Sequence, residues 1–407
     1  MSHNRIAAIS FVCAAFLAAA APLRAQETKV PDTSKARVHL GPVALNPTIE
    51  LTNFGVDTNV FNEPPGFEKS DFTFTLTPKT DAILKIGRVW ATGNLREDVV
   101  WYQTYSTERA GNNYATGTLL VPLNRLAVAV SGGYVSARER PGYEIDVRAH
   151  RKELDVKTRI EYRALSKTFF AVNASRQRVD FDNDALFQSV NLQTLLNRTA
   201  TAAAVEVKHQ LTPLTSISVD VGRQQDRFEF SPARDSDSTV AGVRVTFDPF
   251  ALIKGSARFG IRDFEPLDST IPRDKVGTVS LDLSYVLQGS TRIGVQVLRD
   301  VQYSYDVNQP YYLRTGINGS FAQQIYGPVD VVVRGGVQNL NYHTRIGAIA
   351  VPPDRDDRVK TYGFGFGYHA GRDLRIGVNV DHTRRTSEVG YRLYEGLRFG
   401  TAVTYGL

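Results

Sequence analysis

The sequence is nearly devoid of cysteine, since its single one, Cys13, lies in the N-terminal apolar segment. A chain without that segment has no thiol, so it can form neither a disulfide framework nor a thiolate metal site. After residue 25 the sequence also lacks any run of about 18 apolar residues, the length that a spanning helix needs. These two deficits exclude a disulfide-stapled scaffold and a polytopic α-helical membrane protein.

Residues 1–25 have the features of a secretory signal peptide. Arg5 supplies a positive charge ahead of a short apolar core at residues 6–21, and polar sequence follows the predicted cleavage point after residue 25. We therefore expect export from the cytoplasm, a periplasmic, poorly ordered N-terminal tail at residues 26–45, and one folded unit at residues 46–407.

Apolar and polar residues alternate along nearly all of the remaining chain. Near the C-terminus, four apolar residues (Leu374, Ile376, Val378, Val380) alternate with Arg375, Gly377, Asn379 and Asp381. Two residues is the period of a β-strand, because successive side chains leave a pleated strand on opposite faces. The sequence after residue 30 shows no long 3.6-residue pattern, so the predicted fold class is all-β.

Short turns and longer polar loops alternate along the chain and predict its topology. Eight short turn signals, among them Ile86-Gly87-Arg88 and Gln288-Gly289-Ser290, recur roughly every 40 residues between nine longer loops. This arrangement predicts about 18 antiparallel strands, with 16 as the alternative because segments 46–61 and 71–84 are the least regular.

The composition of the two strand faces favours a transmembrane barrel over a soluble β-sandwich. The polar face is rich in Gly and long charged side chains, whereas the other carries mainly Val, Leu, Ile and Phe. Such a sheet must close, because unpaired edge amides are too costly in hydrocarbon. We therefore predict a closed antiparallel transmembrane β-barrel in the Gram-negative outer membrane, with short periplasmic turns and longer extracellular loops. Its expected partners are outer-membrane lipid, lipopolysaccharide and the barrel assembly machinery.

Aromatic residues near the strand ends predict two interfacial girdles facing lipid. Those near the short turns are Trp90, Phe247, Phe250, Tyr326 and Tyr368. Those near the long loops are Trp101, Tyr102, Tyr105, Tyr303, Tyr305, Tyr311, Tyr312, Tyr391 and Tyr394.

The final strand and two segments near the start of the barrel resemble known proteins. The final strand, Gly396 to Leu407, looks like the C-terminal assembly signal of outer-membrane barrels, although it ends on Leu rather than Phe. The opening segments Gly55 to Phe61 and Asp71 to Pro78 are similar to the start of the putative β-barrel porin 2 family. Members of that family are associated with exopolysaccharide operons, so the resemblance implies an outer-membrane pore connected with polysaccharide export.

The inward-facing charges of the predicted barrel are the candidate functional residues. The strand alternation places more basic than acidic residues on the lumen face. Either these charges pair in ladders that stiffen the wall, or surplus arginines form an electropositive conduit for an anionic polymer. The lumen-lining candidates are Lys157, Arg159, Arg163, Arg258, Arg262, Arg334 and Arg375. The loop Asp182 to Leu195 is predicted to fold inward as a constriction, since it contains several apolar residues.

Signatures of catalysis are poor, so we predict no enzyme, cofactor, metal site or nucleic-acid partner. Asp381 and His382 are adjacent in a strand and point to opposite faces, so they cannot share one site without a bulge. The Asp180-x-Asp182-x-Asp184 spacing opens like a calcium loop but lacks the glycine and the closing glutamate.

The predicted function is export of an anionic exopolysaccharide through the barrel, with a periplasmic partner or polymer synthesis supplying the driving force. A general diffusion porin and a structural barrel with a plugged lumen are the alternatives. An outer-membrane hydrolase is disfavoured, because the sequence shows no acid–base or nucleophile pair at the rim.

Overall fold

The computed structural model describes residues 31, 33–34, 36–248, 252–349 and 352–406; the predicted signal peptide lies outside them. Within these residues, 18 long strands form one antiparallel sheet, and the first pairs with the last to close a barrel. The strands are β1 (Val43–Asp57), β2 (Asp71–Ile86), β3 (Val89–Tyr102), β4 (Ala110–Pro122), β5 (Leu126–Glu139), β6 (Ala149–Arg163), β7 (Thr168–Phe181), β8 (Arg198–Thr212), β9 (Thr215–Phe228), β10 (Ser236–Phe247), β11 (Ile253–Pro266), β12 (Asp274–Leu287), β13 (Thr291–Tyr303), β14 (Tyr311–Tyr326), β15 (Val329–His343), β16 (Asp356–Ala370), β17 (Leu374–Ser387) and β18 (Tyr394–Tyr405). The prediction of an 18-stranded all-β barrel is confirmed, and the 16-stranded alternative is wrong.

Each strand pairs with its two neighbours in the chain, and the connections alternate between short turns and long loops as predicted. Both termini of the barrel lie at the short-turn end, where the amide of Gly406 donates to the carbonyl of Asp373 at 2.9 Å. Strand β1 begins at Val43, three residues before the predicted start, and a short strand at Val38–Leu40 folds back to pair with Val43–Leu45. This part of the predicted tail is therefore tied to the sheet.

The irregularity of the first predicted strand has a local cause. Asn53 has a positive φ of 54°, and the register of β1 shifts beside it against both neighbouring strands. This is a β-bulge, and asparagine is among the few residues that tolerate the left-handed conformation it requires. The bulge bends β1 where the barrel closes without breaking its pairing with β18.

The outer surface of the wall is apolar, as the alternation predicts. On β16 the exposed side chains are Tyr362, Phe364, Phe366 and Tyr368, while Gly363, Gly365 and Gly367 point to the interior. Among the described residues, no helix has the length and apolar character that a membrane-crossing helix requires. The longest helical segment in this part of the chain is Leu192–Leu196, in the loop between β7 and β8.

The prediction of two lipid-facing aromatic girdles is wrong for most of the aromatics near the long loops. Tyr326, Tyr368 and Tyr391 are exposed as expected, and Phe250 lies outside the described residues. Several predicted girdle residues are instead buried in the structure: Trp90, Tyr102, Tyr305, Tyr311, Tyr312 and Tyr394. Aromatic character alone does not distinguish a lipid interface from the packed mouth of a barrel, because both accept a large amphipathic ring.

The pairing of β12 with β13 explains part of this burial. These two strands pair only from Leu287↔Thr291 to Val279↔Arg299. Toward the long-loop end, both strands continue without pairing to each other. An apolar cluster packs at this end of the wall: Phe264, Ile271, Val276, Val301, Tyr311 and Leu313. Tyr311 also donates its hydroxyl to the carbonyl of Pro272 in the loop between β11 and β12. Because this loop packs on the cluster, residues predicted to face lipid are enclosed.

Candidate functional site

The buried charges of the inner wall begin with a network that joins three adjacent strands. Arg159 on β6 donates to Glu206 on β8 at 2.8 Å and to Glu161 at 2.7 Å. Lys208 lies 2.7 Å from the same Glu161 carboxylate, and Asn173 on the intervening β7 accepts from Arg159 at 3.0 Å. Each buried charge therefore has a charged partner, as a low-dielectric environment demands.

Four other predicted lumen residues form ion pairs that cross an intervening strand. Arg258 and Arg262 on β11 hold carboxylates on β9 and β13, and Arg334 and Arg375 pair with carboxylates between β15 and β17. The partners and closest distances are Arg258–Asp220 at 2.6 Å, Arg262–Asp300 at 2.8 Å, Arg334–Asp381 at 2.8 Å and Arg375–Asp330 at 2.6 Å. Each pair braces strands that do not hydrogen-bond to each other, so it stiffens the curvature of the wall.

Glycines on the intervening strands make room for three of these braces. A Cβ at Gly242 on β10 would lie 2.7 Å from Nη2 of Arg258, and one at Gly363 on β16 would lie 3.0 Å from Nε of Arg334. Gly367 occupies the same place beneath Arg375. The inward-facing glycines thus leave room for a long side chain to cross one strand and reach the strand beyond it.

The two remaining predicted wall residues also face the interior but form simpler contacts. Lys157 pairs with Asp155 on its own strand at 3.1 Å, and Arg163 donates to the carbonyl of Asn124 at the short turn. Acids that the sequence analysis did not place on the lumen face, among them Asp226, Asp300 and Asp357, offset the basic excess it found. The wall therefore matches the ion-pair ladder better than an electropositive conduit.

The loop between β7 and β8 folds into the mouth, as predicted. Leu192 is completely buried, and Phe187 packs edge-on against Tyr305 of the loop that follows β13, with ring centroids 4.7 Å apart. The same apolar cluster includes Ile145 from the loop between β5 and β6. Three loops from different sides of the barrel therefore meet inside its long-loop end.

The loop at residues 140–148, which we name the strap, reaches across the mouth. It joins β5 to β6, yet the Glu144 carboxylate accepts from the hydroxyl of Ser304 at 2.5 Å and from the amide of Tyr305 at 3.2 Å. Ser304 follows β13, eight strands away around an 18-stranded barrel, so the strap spans nearly its full width. The sequence analysis identified this segment only as a polar loop and missed its role.

Arginines from the far side of the mouth hold the strap. Nη1 of Arg385 donates to the carbonyl of Tyr143 at 2.9 Å and lies 3.3 Å from Asp146. Nη1 of Arg392 lies 3.1 Å from the same carboxylate oxygen, and the guanidinium of Arg314 stacks over the Tyr143 ring at 4.6 Å. Carbonyls, a carboxylate and an aromatic face are the partners that guanidinium groups suit best.

Burial shifts the ionisation of two groups at the mouth. Burial raises the pKa of the Glu144 carboxyl, although its bond to Ser304 and the charges of Arg355 and Arg392 favour ionisation. Burial lowers the pKa of Arg234 to about 10, so this guanidinium still carries its charge at neutral pH. Arg234 also ties two loops together by donating to the carbonyls of Leu195 and Asp306. The mouth is consequently a dense region of charges largely removed from water.

The free volume differs between the two ends of the interior. A cavity of about 60 Å³ lies beside the strap, lined by residues that include Glu144, Arg151, Arg198, Gln302 and Arg314. Nearer the short turns, a cavity of about 390 Å³ is lined by small or polar residues of β1 to β4 that include Asn46, Asp81, Asn94, Thr116 and Thr118. The free space beside the strap is therefore much smaller than the cavity nearer the short turns.

The adjacent Asp381 and His382, and two acids of the calcium-like spacing, contact other protein groups. Asp381 pairs with Arg334 inside the barrel, whereas His382 contacts Glu395 at 2.8 Å on the other face. Asp180 pairs with Arg178, and Asp182 lies 2.7 Å from His150, so both have protein partners. No group of three or more His, Cys, Asp or Glu residues suited to a metal occurs among the described residues.

Comparisons with known proteins give one family match and several structural ones. The family model described as putative beta-barrel porin 2 matches residues 37–406. A BenF-like porin from Pseudomonas fluorescens Pf-5 is 11% identical with a TM-score of 0.50, covering 90% of this chain and 98% of that one. The outer membrane protein OpdK from Pseudomonas aeruginosa is 10% identical with a TM-score of 0.47, covering 89% and 98%. No curated protein matches, and the likeness to the BenF-like porin supports a shared fold alone.

Proposed function

Because the chain belongs to the putative beta-barrel porin 2 family, we propose that it is an outer-membrane pore for acidic solutes, constricted at its outer mouth by its own loops. The observation that carries the proposal is the set of guanidinium groups at the strap and at the small cavity beside it. Arg198 and Arg314 line the small cavity beside the strap, and Arg385 and Arg392 bind the strap itself. A solute carboxylate passing the strap would meet donors whose planar geometry matches its own.

Exopolysaccharide export is the more specific form of this proposal. The family resemblance motivates an acidic polysaccharide, and the ion-paired wall of the inner half would offer such a chain many weak contacts. A linear polymer needs a continuous path, so the strap and the loop between β7 and β8 would have to move before it could pass. The chain would supply only the conduit, and polymer synthesis or a periplasmic partner would drive transport. Signal-peptide-directed export and insertion by the barrel assembly machinery belong to the same proposal.

Charge selectivity in planar bilayers tests the pore. In a KCl gradient the purified chain should give a reversal potential that indicates anion preference, because the guanidinium groups at the constriction attract anions. The double variant R385Q/R392Q should lose that preference. The control R176Q changes an exposed, outward-facing arginine and should keep it. Cation preference in the unaltered chain would contradict the proposal.

Two further measurements separate the substrate classes. Liposome swelling with neutral sugars should be slow for the unaltered chain, whereas a general diffusion porin would admit them according to size alone. The wide, polar inner half is the observation that favours the diffusion alternative. For polysaccharide export, a strain lacking the chain should retain acidic polymer in the periplasm, and complementation should restore it to the surface. Unchanged surface polymer in that strain would exclude polysaccharide export and leave a pore for small acids as the remaining function.

A further inference from the structure

We infer that the strap is a tethered competitor: Asp146 occupies a carboxylate-binding subsite formed by Arg385 and Arg392, and the carboxylate of an acidic sugar takes the same place. The inference deepens the proposed function by naming the chemistry and the self-blocking element of the mouth. It concerns a binding equilibrium, so it can be measured in the absence of any conductance.

The geometry of Asp146 is that of a bound carboxylate. Its Oδ2 lies 3.1 Å from Nη1 of Arg392 and 3.3 Å from Nη1 of Arg385, so one oxygen is shared by two guanidinium groups. Its Oδ1 accepts from the side-chain amide of Asn62 at 3.3 Å. The two arginines come from β17 and the loop after it, and the aspartate comes from the strap that crosses the mouth toward them. A free carboxylate in this place would meet the same donors.

Unused donors beside Asp146 indicate that the subsite can bind more than the strap offers. Nε of Arg385 and Nε of Arg392 are buried and have no hydrogen-bond partner in the described structure. The exposed fraction of each of these residues is 3% or less. A buried donor without a partner carries a desolvation cost that a ligand acceptor removes. These atoms therefore provide an independent indication of a ligand with several acceptor oxygens.

The charge balance at the mouth also favours an anion. Among the described residues that meet at the strap, six guanidinium groups face four carboxyl groups: Arg140, Arg234, Arg314, Arg355, Arg385 and Arg392 against Glu144, Asp146, Asp306 and Asp357. Burial raises the pKa of Glu144, which weakens its contribution of negative charge. An additional carboxylate would thus enter a region with a positive surplus and low dielectric, where its attraction is strong.

The exchange needs only a small movement. The Asp146 side chain is 13% exposed, so it can turn toward water while Ile145 stays packed in its apolar cluster. The strap would then remain folded as an acidic ligand binds. Because the resident carboxylate competes at a very high local concentration, the unaltered chain should bind small acids weakly.

The test compares galacturonate with galactose as probes on the purified full-length chain in detergent. Isothermal titration should show D146N binding galacturonate at least tenfold more tightly than the unaltered chain, with no binding of galactose by either. The added change R392Q should abolish the gain, because it removes one of the two guanidinium groups. The control E388Q makes a similar change at an exposed residue of the same rim and should have no effect.

Two outcomes would overturn the inference: equal galacturonate affinity in D146N and the unaltered chain, or a gain that galactose shares. The heat-dependent gel mobility of a folded barrel verifies that each variant is assembled, and D146A provides a second variant if D146N fails to assemble. Failure of the pore proposal has a different signature. If the unaltered chain conducts no ions in bilayers but D146N still gains galacturonate binding, the pore proposal is refuted and the subsite is retained.

Discussion

The inner and outer halves of the barrel interior use the same strands for different purposes. In the inner half, toward the short turns, ion pairs cross glycines of β10 and β16, and a cavity of about 390 Å³ lies along β1 to β4. In the outer half, the strap and the loop between β7 and β8 return inward and fill the mouth with arginines and aromatic rings. The difference assigns mechanical stiffness to the inner half and selectivity to the outer half. Four changes would sharpen or break this assignment.

Shortening the strap should have the largest effect. Replacing residues 142–146 with Gly-Ser-Gly removes Tyr143, Glu144 and Asp146 from the mouth, so single-channel conductance should rise several-fold. The matched change in the inner half is T116W, which adds a bulky ring where the cavity is about 390 Å³. It should lower conductance by less than about a third, because the proposed constriction lies at the strap. A larger effect of T116W than of the strap deletion would place the constriction in the inner half.

Breaking a buried network of the wall should cost stability rather than selectivity. The R159Q variant leaves Glu206 without its main partner in a buried site, so the free energy of unfolding should fall by about 3 to 5 kcal/mol. The comparison is R163Q, whose side chain is exposed and contacts only a carbonyl, and its loss should stay below about 1 kcal/mol. Urea titration followed by tryptophan fluorescence measures both. Equal losses would mean that the network does not brace the wall.

A methyl group beneath a brace should have a smaller effect. A Cβ at Gly363 would lie 3.0 Å from Nε of Arg334, so G363A should displace the Arg334–Asp381 pair and lower stability by about 1 to 3 kcal/mol. The control is G319A on β14, where an added Cβ meets no heavy atom within 4 Å. That variant should be neutral or slightly stabilising, because alanine loses less backbone entropy than glycine. The idea that inward glycines accommodate the braces fails if both variants behave alike.

The pH dependence of conductance should show the smallest effect, less than about twofold. Burial raises the pKa of Glu144 while the strap is closed, so the closed strap binds the proton more tightly than an open one. Closure is therefore most favoured at acidic pH, and this advantage is lost as the pH rises through the raised pKa. The groups facing Glu144 are Arg234, Ser304, Tyr305, Tyr312, Tyr342, Arg355 and Arg392.

Single-channel recording across a pH series measures this dependence. Conductance should rise with pH in the unaltered chain and be flat in E144Q, which keeps a neutral side chain of the same shape. E388Q should keep the original dependence, since Glu388 is exposed. A falling conductance with rising pH would show that the charged form of Glu144 closes the strap.

The alternation was informative residue by residue within the strands. It placed Arg159, Arg258 and Arg375 inside, and the structure finds all three there with carboxylate partners. The three consecutive charges Arg96 to Asp98 also follow this alternation, and the segment contains no bulge. The register of β2 with β3 is the same on both sides of it, and Arg96 pairs with Asp98 on the inner face. Arg96 and Asp98 are two residues apart, so a regular strand places both on the inner face without a bulge.

The mouth was much less predictable. Tyr305 and Tyr312 were expected at the lipid interface and instead pack inside, and the strap was not recognised as a crossing element. The available signal was the sequence Tyr143-Glu144-Ile145-Asp146, in which apolar and acidic residues alternate within a loop. Such a pattern is compatible with an exposed loop or an inserted one, because the loop sequence alone does not determine which surface the loop contacts.

The approximate number of strands, their order and the face taken by most charged residues of the wall were determined by the sequence alone. These are local properties: a period of two residues sets the face, and short turns force consecutive strands to pair. The charge partners and the constriction were decided only by the tertiary structure. Closure of the sheet brings Arg334 to Asp381 across a glycine and carries Glu144 to Ser304 across the mouth. Contacts between residues so far apart in the chain depend on the curvature of the whole barrel, which no short segment encodes.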